Sequence, residues 1–310
     1  MTNAMKNHII TNLFRCMAVS ALALGAAACS DWTETEAVEQ QVRRPADQDP
    51  AFWAEYTAAL REYKQSEHFL TYARLYNSPT PSASEKDYMR CLPDSLDIVS
   101  LTNADNFSRF DAEDMVTMHE KGTRVLYQVD YAARKAEFAD AAALKTYLDG
   151  VIAAVAVNGL DGYSFTADPL DAVATATIVA TLSAAKTDDQ LLVYEGNPLF
   201  VAEADRAKLD YVVLDTEATT DITTLKLQVV NATGYAGIAA DKLLLAAEID
   251  AQLQDADRTE YAAVELMARC VVEYGPLAGF AAYNIAGDYY HADRNYSTIR
   301  EAIQTLNPSK

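Results

Sequence analysis

The stretch Leu160-Asp161-Gly162-Tyr163-Ser164-Phe165-Thr166-Ala167-Asp168 decides the fold. Ser164, Thr166 and Asp168 recur at every second position, so in an extended strand they share one face. Helix-length segments flank the run, at 140–157 before it and 170–185 after it. Strand and helix in alternation is the pattern of a parallel α/β fold. The same alternation continues outward, with further β-rich runs at 68–75, 96–102, 123–129, 190–195, 210–215, 242–247 and 279–284 and helical segments at 257–273 and 293–305. Eight such runs predict a closed (β/α)8 TIM barrel, a single domain over 51–310 of the size usual for that fold. A doubly wound open sheet is the less favoured reading, because no Gly-x-Gly-x-x-Gly turn follows the first strand. Phe52, Tyr56, Leu60 and Tyr63 recur at helical spacing and predict an amphipathic helix leading into the barrel.

The first 28 residues read as a secretory signal: Lys6 and Arg15 precede an apolar run from Cys16 to Leu24, which ends in Gly25-Ala26-Ala27-Ala28-Cys29. The run is shorter than the roughly 20 residues that a membrane-spanning helix needs. The small residues before Cys29 resemble a bacterial lipobox, with Ala26 where leucine is usual, and this makes Cys29 the lipidated first residue of the mature chain. Residues 29–50 are polar, contain Pro45 and Pro50, and read as a tether. Its start, Ser30-Asp31-Trp32-Thr33-Glu34-Thr35-Glu36, resembles the export tag of Bacteroidota surface lipoproteins. The expected location is therefore the outer membrane, at the cell surface, with a lipid anchor as the only membrane contact.

The chain carries 25 basic and 45 acidic residues, a net charge of −20, and loss of the two signal-peptide cations makes it −22. Such a surface repels nucleic-acid phosphates, whereas neutral sugars meet no penalty. Beyond the anchor only Cys91 and Cys270 persist, too few for a disulfide scaffold, and they read as two buried thiols rather than a bridge. His68, His119 and His291 lie far apart without metal-ligand spacing, so neither metal nor cofactor is expected.

The frame Asp161-Gly162-x-Ser164-x-Thr166-x-Asp168 resembles Asp-Gly-x-Asp-x-Asp-x-Glu, which closes the fourth barrel strand of glycoside hydrolase family 18, the family of chitinases and endo-β-N-acetylglucosaminidases. The likeness continues along the chain in the runs 93–101, 121–127, 192–198 and 283–290, followed by Arg300-Glu301-Ala302-Ile303 and Asn307-Pro308-Ser309. As a whole it is to the family 18-like lipoproteins of Bacteroidota glycan-utilisation loci, several of which are similar to endo-β-N-acetylglucosaminidases but non-catalytic.

In that family the substrate's acetamido oxygen attacks the anomeric carbon while a glutamic acid protonates the leaving oxygen and a neighbouring aspartate stabilises the positive charge. Ser164 and Thr166 stand where the two inner aspartates would be, and Asp168 where the acid would be. Loss of such a charge costs on the order of 3 to 4 kcal/mol per group. Asp168 sets its carboxyl back by one methylene, about 1.5 Å, enough to cost about 100-fold by itself. Catalysis is therefore not expected. The third strand ends in Tyr127-Gln128-Val129-Asp130-Tyr131 where the family has Ser-x-Gly-Gly, and the last in Tyr283 and Asn284 where it has a tryptophan.

Ligands of a barrel bind over the C-terminal ends of its strands. The candidates there are Asn77, Asp130, Tyr131, Asp168, Glu195, Asn197, Asp215, Glu217, Asn284 and Tyr289, with Tyr76, Asn103, Glu248, Asp250, Asp288 and Tyr290 beside them. Carboxylates and amides bond sugar hydroxyls and tyrosines stack on pyranose faces, although such acids also cap helices and such tyrosines also close cores. The first reading is a cell-surface glycan-binding lipoprotein that holds oligosaccharides, N-glycans among them, for outer-membrane uptake proteins and neighbouring glycosidases. A weak endo-β-N-acetylglucosaminidase using Asp168 as acid is the alternative, and a protein-interaction module with an occluded mouth is a third.

Overall fold

The computed structural model describes residues 44–216 and 219–308. Signal peptide, Cys29 and most of the tether therefore lie outside the described residues. The barrel unit runs from Ala51 to the C-terminus. Eight parallel strands close on themselves: β1 (Leu70–Leu75), β2 (Ile98–Leu101), β3 (Arg124–Val129), β4 (Gly162–Phe165), β5 (Leu191–Glu195), β6 (Tyr211–Leu214), β7 (Leu243–Glu248) and β10 (Gly279–Tyr283), which pairs with β1 from Leu70↔Gly279 to Ala73↔Ala282. All eight expected runs are strands, and the fold is a (β/α)8 barrel.

Period-two patterning builds this barrel. Residues of one parity, such as Val99, Val125, Tyr163, Phe165, Leu192, Val212 and Leu245, turn outward into the layer between strands and helices. The other parity, with Tyr72, Ile98, Leu126, Val193, Val213, Leu244, Ala281 and Tyr283, fills the barrel interior. The outer helices are α1 (Pro50–Gln65), α2 (Arg109–Glu120), α3 (Ala141–Asn158), α4 (Ala172–Ala185), α5 (Ile222–Val230), α6 (Ala263–Glu273) and α7 (Ser297–Leu306). Acidic side chains start several of them: Asp140 accepts from the amides of Ala142 and Ala143, Asp171 from Ala174, and Asp221 from Thr223 and Thr224. Helix α3 is apolar and long enough to cross a membrane. Its Leu144, Leu148, Val151 and Val155 are instead turned into the barrel's core, as an outer helix requires.

Two local expectations need correction. The helix expected from 257 begins at Ala263, because Glu260–Ala262 (β9) pairs antiparallel with Gln252–Gln254 (β8). In α1, Phe52 is 64% exposed rather than buried, while Trp53 turns in and donates to Glu120 Oε2 at 2.9 Å. The α1 helix lies across the N-terminal end of the barrel, where Lys64 Nζ donates to Leu96 O and Thr123 Oγ1, each at 2.6 Å. Cys91 is half-buried, Cys270 is buried, and both are free thiols.

At the same end His68 Nε2 lies 3.0 Å from Asp97 Oδ1, and its Nδ1 2.8 Å from Ser66 O. The hydrogen bond to Asp97 raises the His68 pKa above its ordinary value against the opposing effect of burial. An unfolded histidine titrates near about 6.5. The stabilisation from this pair is therefore complete below that pH and is lost as pH rises through the higher folded value. Asp114 acts in the same direction, since burial lifts it to about 6, so folding favours its protonated form and stability falls as pH climbs toward that value. Urea midpoints are expected to decline from about pH 5 to about pH 8, with His68→Gln flattening the upper part of the slope. A wild-type midpoint that rises over this range would contradict the assignment.

Candidate active-site barrel mouth

The four motif positions do different work along β4. Asp161 precedes the strand at the barrel's N-terminal end, where its Oδ2 accepts from the Val125 amide at 2.8 Å and lies 3.1 Å from His119 Nε2. Gly162 has φ +133°, and a Cβ there would sit 2.1 Å from Leu191 O. The part of the frame that matches the family is thus the part that seats the strand. Ser164 points inward, fully buried, and shares a hydrogen bond with Ser100 Oγ at 2.7 Å. Thr166 stands at the rim, donating to Asp130 Oδ1 at 2.7 Å and accepting from the Ala132 amide at 3.0 Å. Asp168 accepts from Lys135 Nζ at 2.5 Å and from the Leu170 amide at 3.0 Å. The Lys135 hydrogen bond holds its carboxyl below the usual range, so it carries no proton to donate at neutral pH.

The barrel interior beneath the mouth is occupied by a polar cluster that spacing did not announce. The Glu195 side chain is fully buried; its Oε1 accepts from Tyr72 Oη, and its Oε2 accepts from Arg74 Nε and, at 2.9 Å, from Gln128 Nε2. The Arg74 guanidinium also lies 3.5 Å above the centre of the Tyr283 ring. Burial opposes charge on Arg74, yet Glu195 outweighs it and holds the guanidinium above its ordinary pKa. Burial and the Glu195 charge together push the Tyr72 phenol well above the ordinary value. Glu195 is thus held by three donors in the barrel interior.

The other candidates divide by their partners. Asn77 is buried, and its Oδ1 accepts from the Asn103 amide at 3.1 Å while its carbonyl accepts from Asn103 Nδ2 at 2.8 Å. Asp130 caps a short helical turn through the Ala133 amide, and buried Tyr131 donates to Asp171 Oδ2 at 2.6 Å. Asn197 accepts from the Leu199 amide at 3.0 Å, and Tyr289, 8% exposed, donates to Glu85 Oε2 at 3.2 Å. Asp288 is also structural, accepting from the Ile299 amide at 2.9 Å where α7 begins. Asp215 and Asn284 are exposed, and Glu217 lies outside the described residues. Tyr76, directly after β1, and Tyr290, seven residues after β10, are 58% and 65% exposed, and β1 and β10 are neighbours in the barrel. The segments that follow these two neighbouring strands therefore present two exposed tyrosines and an exposed amide. Tyr72, Arg74, Ser100 and Gln128 were missed because they lie within strands; the only signal was the matching parity of Tyr72 and Arg74 on β1.

Comparison with known proteins fits this geometry. A family model described as glycoside hydrolase family 18, BT1044-like, matches residues 33–147. No curated protein matches the sequence. Among solved structures, a selenomethionine glutamate-to-glutamine variant of BT1044 has a TM-score of 0.66 at 16% identity, covering 86% of this chain and 96% of that one. A chitinase from Bacteroides thetaiotaomicron has a TM-score of 0.58 at 12% identity, covering 78% and 97% respectively. YKL-39, solved in the presence of chitooligosaccharides, has a TM-score of 0.61 at 8% identity, covering 78% and 100%. Over residues 33–147 the chain is thus similar to the BT1044-like glycoside hydrolases of family 18, and its closed barrel has the fold of these solved structures.

Proposed function

We propose that this protein binds glycans without hydrolysing them, as a surface lipoprotein anchored through Cys29 that holds oligosaccharides for outer-membrane uptake proteins and neighbouring glycosidases. The observation that carries the loss of catalysis is the inner motif position: Ser164 is paired with Ser100 deep in the barrel, in place of a carboxylate. The endoglycosidase alternative needs Asp168 as a proton donor, and the Lys135 hydrogen bond opposes that role. Binding is supported by exposed Tyr76, Tyr290 and Asn284, which follow the neighbouring strands β1 and β10. Tyrosines in such positions present apolar ring faces to pyranose rings, while the amide exchanges hydrogen bonds with hydroxyls.

The test uses native gels containing a high-mannose glycoprotein or its deglycosylated form, with the glycans weighed afterwards by mass spectrometry. Glycan-dependent retardation without trimming is expected, and Tyr76→Ala with Tyr290→Ala should weaken it about tenfold, the loss of roughly 1.4 kcal/mol of stacking. Trimmed glycans would overturn the non-catalytic reading. Failure to retard across a wider glycan panel would overturn the binding reading and favour a protein-interaction module.

A further inference from the structure

The barrel's opposite, N-terminal end carries a concavity of about 400 Å³. Arg61 and Lys64 of α1 line it together with His119 of α2, Arg124 at the start of β3, and Asp161 and Asp189 ahead of β4 and β5. Elsewhere in this acidic chain the cations are commonly paired with carboxylates, as in Arg74 with Glu195, Lys121 with Asp94, Lys135 with Asp168 and Lys186 with Asp210. Here the pattern changes. Among the described residues Arg61 donates to Glu120 O, Arg124 to Asp189 O, and Lys64 to Leu96 O and Thr123 Oγ1, and none of the three forms an ion pair. Carbonyl oxygens offer only partial charges, and each guanidinium has five N–H groups, of which these contacts use one.

The two acids in the groove do not cancel this charge. Asp161 is already engaged by the Val125 amide and by His119, whose pKa that hydrogen bond raises. Asp189 shares the lining with two guanidiniums and an ammonium, and its carbonyl, not its carboxylate, accepts from Arg124. Burial pulls Lys64 down to about 8, the behaviour of an ammonium without sufficient compensating charge. Gly122, with φ +74°, leaves room for the Arg61 stem, since a Cβ there would lie 3.1 Å from Arg61 Cγ.

We propose that this groove binds a phosphate or sulfate ester carried on a hydroxylated backbone, its oxyanion seated among Arg61, Lys64 and Arg124. Tetrahedral oxyanions take paired N–H bonds from guanidinium groups, and the ammonium adds a point charge. The volume exceeds what a bare anion needs and falls in the range of small-molecule sites. Asp161 and Asp189 supply acceptors for hydroxyls next to the ester and disfavour dense polyanions. This site is independent of the glycan rim, which lies at the other end of the strands.

Titration calorimetry of the protein with glucose 1-phosphate tests the proposal, alongside flotation with phosphatidylglycerol or pure phosphatidylcholine vesicles. Binding that weakens with added salt is expected, and Arg61→Gln with Arg124→Gln should lower the affinity at least about tenfold. Asp189→Asn should strengthen it about two- to fivefold, a gain that a folding defect cannot mimic. Glucose 1-phosphate binding supports a soluble ester as the source, and binding to phosphatidylglycerol vesicles alone supports a lipid headgroup. Absence of both, or affinity unchanged in the Arg61→Gln/Arg124→Gln and Asp189→Asn variants, overturns the proposal.

Discussion

Gly162→Ala is expected to destabilise the fold by more than about 4 kcal/mol, a large part of the stability of an ordinary domain. Two independent causes add. The φ of +133° is a conformation that an L side chain rarely adopts, and the new Cβ would lie 2.1 Å from Leu191 O and 2.6 Å from Leu191 N. Both contacts are backbone atoms of the adjacent strand, which pairs with β4 from Gly162↔Leu191 onward, so relief requires parting the two strands. Gly150→Ala provides the opposite case: nothing lies within 4 Å of its Cβ and it sits inside α3, so a gain of about 0.5 to 1 kcal/mol is expected. Urea unfolding of both variants checks the pair. A Gly162→Ala protein as stable as wild type would show that the glycine of the motif is not retained for strand closure.

Arg74→Ala is expected to cost about 3 to 5 kcal/mol, because it leaves the fully buried Glu195 carboxylate with neutral donors, Tyr72 and Gln128, in place of its cation. Tyr283 loses the guanidinium over its ring in the same step. Because the partners act together, Arg74→Ala/Glu195→Ala should be less destabilised than the two single losses added. A double-mutant cycle from urea midpoints measures this coupling, and strict additivity would dismiss the cluster as a unit. Glu195→Ala should do less damage than Arg74→Ala, since the Arg74 side chain is 21% exposed and reaches water at the mouth.

Local pattern carried most of the architecture. The strand runs show in short β-rich segments, and the helices between them in their length and apolar spacing, as in α3 and α4. These are near-neighbour properties, so they survive without knowledge of what packs where. The three-residue strands β8 and β9 were too short to give a period, and Phe52 and Trp53 are adjacent apolar residues whose orientation only the packed barrel selects. The site was less legible. Asn77, Asp130, Tyr131, Asn197 and Tyr289 have the composition of ligand residues, yet each engages a loop, helix end or neighbouring side chain.

Residue identity alone determined that Ser164 and Thr166 place hydroxyls where the similar motif of glycoside hydrolase family 18 has aspartates, and the order of strands along the chain determined the barrel. Tertiary structure decided which strand-end acids reach water. Glu195 and Asp215 look alike in sequence, but Glu195 is closed off by Arg74, 121 residues away, while Asp215 is exposed. Barrel closure also set Asp168 against Lys135 and gathered Arg61, Lys64 and Arg124 at the opposite end. A charge's role depends on its neighbours and its access to water, and in a closed barrel those neighbours come from distant strands.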